Sequence, residues 1–200
     1  MQVNFLAHTL LTMYLIPSIR QSPKPRIICT TSCMQYQGKW DLSNANLGNL
    51  GYPNNKLYFQ TWLTELQYRL SIRPIYKHIT VLGVHPGYVK TNIWQPPAGT
   101  TSKSFPERAM EFFLKYLGID AQQGSLTITN AATSKECGVE VRNLQAGKLG
   151  GKEGGMYMSR IWKEEPMPQT MNPECRLEIW EYVKKELKLE DRGLLKDLDT

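Results

Sequence analysis

Arg26-Ile27-Ile28-Cys29-Thr30-Thr31 is a short, β-branched run with no alternation between core-facing and solvent-facing residue types. A half-exposed strand alternates. A continuous run must instead be covered on both faces, the condition of a parallel strand inside an α/β sheet. His78 to Val84 is a second run of this kind, and Gly155 to Arg160 reads as a short third strand. Between the strands lie helical stretches. Met1 to Ile19 reads as a helix stopped by Gln21-Ser22-Pro23-Lys24-Pro25, whose prolines cannot continue it. A long helix opens near Tyr52 and runs to about Ser71, with Pro53 tolerated in its first turn. Further helices are expected over Pro106 to Leu117, over Ala121 to Thr133 with Asp120 as its N-cap, and over Pro173 to Leu189. The last carries Leu177, Trp180, Val183 and Leu187 as its core stripe. Residues 38 to 51 and 93 to 106 read as loops, and the glycine pairs Gly150-Gly151 and Gly154-Gly155 as a turn.

Composition narrows the function classes. The chain has 200 residues, 41% of them hydrophobic, enough to bury a core as one domain, and residues 190–200 are charged enough to fray. Its net charge of +6 is scattered, without the basic helix or aromatic interleaving of a nucleic-acid binder. Cys29, Cys33, Cys137 and Cys175 form no Cys-x-x-Cys pair, and His8, His78 and His85 are far apart, so neither metal spacing nor a disulfide framework is visible. A reducing, cytoplasmic setting is the expectation. The apolar run Phe5 to Ile16 lacks a basic flank and a cleavage site and is too short to span a bilayer.

Tyr52 and Lys56 stand four residues apart at a helix start, with Ser32 ending the first strand twenty residues earlier. Residues i and i+4 share a helix face, so an ammonium can sit beside a phenol and stabilise its anion. Bringing a phenol from about 10 to about 7 takes roughly 4 kcal/mol of preferential anion stabilisation. The trio suggests redox chemistry on an alcohol or carbonyl.

Asn4 in Val3-Asn4-Phe5-Leu6-Ala7-His8, the strand ending at Ser32, Tyr52 with Lys56, and His85-Pro86-Gly87-Tyr88-Val89-Lys90-Thr91 follow one another in an order that resembles the short-chain dehydrogenase/reductase family. The Ser-to-Tyr gap containing Gly38-Lys39-Trp40-Asp41-Leu42, and the tail Gly154-Gly155-Met156-Tyr157-Met158-Ser159 with Glu178-Ile179-Trp180, are similar to its retinol dehydrogenase and WW-domain oxidoreductase branch. The resemblance implies the C-terminal portion of a Rossmann-type, doubly wound parallel sheet with flanking helices. It also implies NAD or NADP as cofactor and a lipophilic alcohol or carbonyl as substrate. Asn4, Ser32, Tyr52 and Lys56 fall at the catalytic tetrad: Tyr52 moves the proton, Ser32 holds the substrate oxygen, Lys56 steadies the phenolate and the nicotinamide ribose, and Asn4 holds a water. Pro86, Gly87, Val89 and Thr91 fall at the nicotinamide side, and Trp94 and Phe105 suit an apolar substrate. Asn55 replaces the common Ser before the Lys, and Thr30-Thr31 depart from the usual residues before the Ser.

The family's glycine-rich phosphate turn has no counterpart in these 200 residues. Two readings stay open: an incomplete copy of an oxidoreductase, or a noncatalytic remnant or interaction protein that cannot bind the dinucleotide. Three strands with one open edge are expected, and that edge is a site for self-association.

Overall fold

The computed structural model describes residues 1–45, 51–90, 112, 115–116, 118–138, 156–195 and 198. Its sheet is mixed: β1 (Arg26–Thr30), β2 (Thr80–His85) and β3 (Met156–Ser159) are parallel, and β4 (Trp162–Lys163) returns antiparallel on β3. The order is β1-β2-β3-β4. The fourth strand is an addition to the three expected. It arises because Arg160, at φ 55, turns the chain back at once, placing Trp162 opposite Ser159.

Helices cover both faces. Helix α1 (Ala7–Ile19) continues a π-helical turn at Gln2–Leu6 and contains Pro17, which cannot donate the backbone bond that would extend it; the helix ends two residues later. Helix α2 (Gly51–Ser71) is buried on nearly every side from Pro53 to Leu70, against the sheet, α1 and the C-terminal helices. Helix α3 (Ala121–Thr133) closes the opposite face, where Ala131 packs with Leu82, Val84, Met156 and Met158. Asp120 caps α3 as expected: its carboxylate accepts from the Gln123 N–H at 2.7 Å, and the Gln123 side chain accepts from the Asp120 N–H. Helices α4 (Pro168–Met171) and α5 (Pro173–Glu186) follow, α5 capped by the Asn172 side chain. This is a mostly parallel sheet with helices on both faces, consistent with part of a Rossmann-type fold.

Two details differ from the sequence reading. On α5 the core stripe is Ile179, Trp180 and Val183, while Leu177 is 53% exposed. The reason is a buried ionic cluster beside it. Glu65 of α2 accepts from the Arg69 Nε at 2.8 Å and faces the Arg176 Nε at 3.7 Å, which turns α5 so that Arg176 points inward. The Arg69 guanidinium also lies 4.1 Å over the Trp180 ring. Within the stretch expected to fray, Leu195 and Leu198 are buried, and Arg69 donates to the Leu198 carbonyl at 3.0 Å. Leucines at these spacings supply apolar surface that the charged residues around them conceal in a composition count. Residues 93–106, the expected helix at 106–117 for the most part, and the two glycine pairs lie outside the described residues.

Candidate active site

Ser32 leaves β1 in extended conformation, and its hydroxyl accepts from the Met34 N–H at 3.2 Å, capping the 3₁₀ turn Cys33–Gln37. Tyr52 sits in the first turn of α2, half exposed, with its phenol near enough to the Ser32 side chain for that hydroxyl to lower its pKa. Lys56, one turn later, is buried; its ammonium lies 5.5 Å from the Tyr52 ring centroid and donates to the Thr30 carbonyl at 3.0 Å. The end of an edge strand and the start of a helix thus bring Ser32, Tyr52 and Lys56 to one wall. That follows from the i, i+4 spacing on α2 and from its crossing over the end of β1.

Electrostatics sort the three groups. Burial raises the Tyr52 phenol above its ordinary value, the Ser32 hydroxyl opposes the rise, and Cys33 adds to it. Burial lowers the Lys56 ammonium, opposed by the neighbouring Cys29. Burial pushes the Cys29 thiol up to about 12, against the pull of Lys56 and a hydrogen bond from Thr12. The relief of Tyr52 comes from Ser32, because Lys56 is turned toward Thr30. Asn4, in the π-helical turn, is half buried, and its side chain makes no hydrogen bond to Lys56 among the described residues.

Pro86 and Gly87 follow β2 at its carboxyl end. Gly87 holds φ +96, and a Cβ there would meet the Ile119 Cδ1 at 3.1 Å, so glycine suits both the backbone and the space. Val89 bridges to Ile119, and its side chain packs against Gly124 of α3, where a Cβ would lie 2.6 Å from the Val89 Cγ2. Its side chain is therefore an anchor for the loop. Thr91, Trp94 and Phe105 lie outside the described residues.

Three neighbours of the trio escaped the sequence reading. Thr30 matters through its backbone carbonyl, for which no side-chain pattern exists. Cys33 Sγ and the Tyr88 hydroxyl are hydrogen-bonded at 3.4 Å, which ties the turn after β1 to the loop after β2; the sulfur's hold on the phenol proton, with burial, pushes that phenol up to about 12. Tyr88 also stands edge-on to His85, with ring centroids 5.9 Å apart. Its place inside His85-Pro86-Gly87-Tyr88 was the available signal.

A hydroxyl, a phenol and an ammonium thus gather at the strand ends of an open α/β sheet, the position where such sheets take ligands. No protein-family profile matches the chain. It is 26% identical over 191 residues to polyprenol dehydrogenase of Danio rerio, covering 89% of this chain and 52% of that protein. It is 24% identical over 180 residues to retinol dehydrogenase 13 of Mus musculus, covering 89% and 50%, and 25% identical over 187 residues to the Mus musculus polyprenol dehydrogenase, again covering 89% and 50%. The chain is a relative of the short-chain dehydrogenases/reductases. It spans about half the length of the curated relatives it matches. Among the described residues no helix is long and apolar enough to cross a membrane.

Proposed function

We propose that this chain carries the catalytic wall of an NAD(P)-dependent oxidoreductase that interconverts a lipophilic alcohol and its carbonyl. The observation that carries the reading is the convergence of Ser32, Tyr52 and Lys56 on one wall, with the Lys56 ammonium 5.5 Å from the Tyr52 ring centroid. The residues present fit the nicotinamide end of the cofactor: the donor set Tyr52 and Lys56 can meet ribose hydroxyls, and the turn at Gly87 leaves its backbone free of a side chain. When bound, the cofactor supplies or accepts the hydride.

Tyr52 gives its proton to the carbonyl oxygen as that oxygen gains electrons, or takes it back in the alcohol direction. Ser32 donates to the same oxygen and keeps it beside the phenol. Lys56 stabilises the phenolate as it forms, and its charge counts most in a wall closed to water. Asn4 is assigned the water that passes the proton onward from Lys56. Pro86, Gly87, Val89 and Thr91 are assigned to the nicotinamide side through their backbone, and Trp94 and Phe105 to the apolar substrate.

One observation favours a second reading, a noncatalytic interaction protein: the Tyr52 phenol is held up, and Lys56 is turned to Thr30. Titration of NADPH and NADH into the purified chain, followed by energy transfer from tryptophan, separates the two. Saturable binding that Lys56→Ala weakens tenfold or more, and that Tyr52→Phe leaves within twofold, is expected. No binding by a folded sample would overturn the enzymatic reading.

A further inference from the structure

The pairing of β1 with β2 ends at the Thr31 N–H, which donates to the Val84 carbonyl at 2.7 Å; beyond it each strand passes into a loop held by a different helix. The turn after β1 is fitted to α2. Gly38 closes it with its N–H on the Gln35 carbonyl at 3.0 Å, and a Cβ on Gly38 would lie 3.0 Å from the Leu57 Cβ. The same turn holds Ser32, whose hydroxyl accepts from the Met34 N–H and whose carbonyl accepts from the Gln35 N–H, both at 3.2 Å. The loop after β2 is fitted to α3. The Tyr88 carbonyl accepts from the Ile119 N–H at 2.9 Å, the Lys90 N–H donates to the Ile119 carbonyl at 2.8 Å, and Val89 packs on Gly124. These two helices cover opposite faces of the sheet. The two loops therefore have separate anchors, and a shift of either helix moves one loop against the other.

A side-chain bond crosses that gap. Cys33 Sγ and the Tyr88 hydroxyl are hydrogen-bonded at 3.4 Å. The sulfur also raises the Tyr52, Tyr36 and Tyr157 phenols, so it stands within electrostatic reach of the Ser32–Tyr52 wall as well as of Tyr88. Tyr88 is steadied in turn by the edge-on ring of His85, which is buried. Hydride transfer draws on both loops at once. It proceeds when donor and acceptor carbons are held in contact, and a displacement of about 1 Å can cost about a hundredfold in rate.

We propose that Cys33 and Tyr88 are positioning residues: their hydrogen bond braces the turn carrying Ser32 against the loop carrying Gly87, so that the substrate side and the nicotinamide side of the site move as one body. The naming of the two sides rests on the oxidoreductase reading, whereas the brace itself does not. Neither residue touches a ligand in this role. Cys33 acts through the adjacent Ser32, and Tyr88 through the adjacent Gly87.

The test is amide hydrogen exchange on the 200-residue chain, read across the bond and not at the altered residue. Tyr88→Phe keeps the ring beside His85 and should speed the Met34 and Gln35 amides of the other loop about fivefold, the scale of one hydrogen bond. Cys33→Ala should likewise speed the Lys90 and Ile119 amides. The double variant should be no faster than the single ones, because the same bond is lost only once. Cys33→Ser, which keeps an acceptor for the phenol proton, should return Lys90 and Ile119 to within about twofold of the parent. Effects confined to the altered residue's own loop, or additive in the double variant, would overturn the brace. A second arm adds saturating NADPH or NADH. The cofactor should slow Met34 and Gln35 in the parent and not in Tyr88→Phe, and equal slowing in both would overturn the positioning role. A parent that binds neither cofactor would defeat the oxidoreductase reading alone, and the exchange across the bond would still decide the brace.

Discussion

The Lys56 ammonium donates to the Thr30 carbonyl at 3.0 Å, and Thr30 is the last residue of β1 whose backbone faces away from β2. The buried lysine of the candidate site is thus held by the outer side of β1, which pairs with no strand among the described residues. Because burial lowers its pKa, the unfolded chain binds the proton more readily than the folded chain over the interval below 10.5. Stability contributed by Lys56 is therefore complete above that value and is lost as pH falls through the folded value.

Urea melts between pH 7 and 10.5 should show this directly. In a Cys29→Ala background, which removes the opposing titration of a thiol raised from 9.0 to about 12, the chain with Lys56 should gain stability with rising pH relative to Lys56→Met. A pH-independent difference between the two would mean that Lys56 is solvated in solution.

His85 gives a second pH dependence, at the acid end. Burial lowers it from 6.5 to about 4. Its contribution is complete above pH 6.5 and lost as pH falls through about 4, since the unfolded chain takes the proton first. Allowing for partial screening at the strand end, the loss is about 2 kcal/mol. Thermal melts at pH 7 and pH 4 should show a smaller drop for His85→Asn than for the parent chain.

Glu65 faces both the Arg69 and the Arg176 guanidinium groups, and all three residues are buried. Removing it takes a carboxylate away from two buried cations, which costs about 3–5 kcal/mol. Glu65→Ala should lower the melting temperature by about 10 °C. Glu190, 2.8 Å from Lys184, has a side chain 67% exposed, and Glu190→Ala should cost under about 1 kcal/mol. Equal losses from the two would refute the burial argument.

Gly83, in the middle of β2, lies under Gln60: a Cβ there would come within 1.9 Å of the Gln60 Oε1 and 3.1 Å of the Thr31 Cγ2. Gly83→Ala should destabilise by about 1–3 kcal/mol. Gln60→Ala should recover part of that loss, because the amide and not the backbone is the obstacle. A double-mutant cycle with no coupling energy would sink this account.

Much of the frame was legible because it rests on local pattern. The unbroken β-branched run at Arg26 to Thr31 marked a parallel strand within one residue of its observed end, but not its burial, since within β1 only Ile27 is buried and Thr30 is exposed; Asp120 announced the start of α3 by cap chemistry alone. Tyr52 and Lys56 were readable as a same-face pair because helical periodicity is a property of sequence spacing. The stripe on α5 was legible only in part. Periodicity located a core face, but Arg176 took an inward position through Glu65, an ion pair between helices more than a hundred residues apart that no spacing on α5 reveals.

The order of short β-branched runs and helical stretches determined the α/β class, the strand positions and the residues that share a helix face with Tyr52, since these depend on dihedral preference and period. Only the tertiary structure decided that Ser32 meets Tyr52 at one wall, that Lys56 turns to the Thr30 carbonyl, and that the outer side of β1 pairs with no strand among the described residues. The physical reason is that backbone carbonyls and strand edges carry no side-chain signature. Their chemistry comes into being when the chain's own packing chooses which of them stay unpaired.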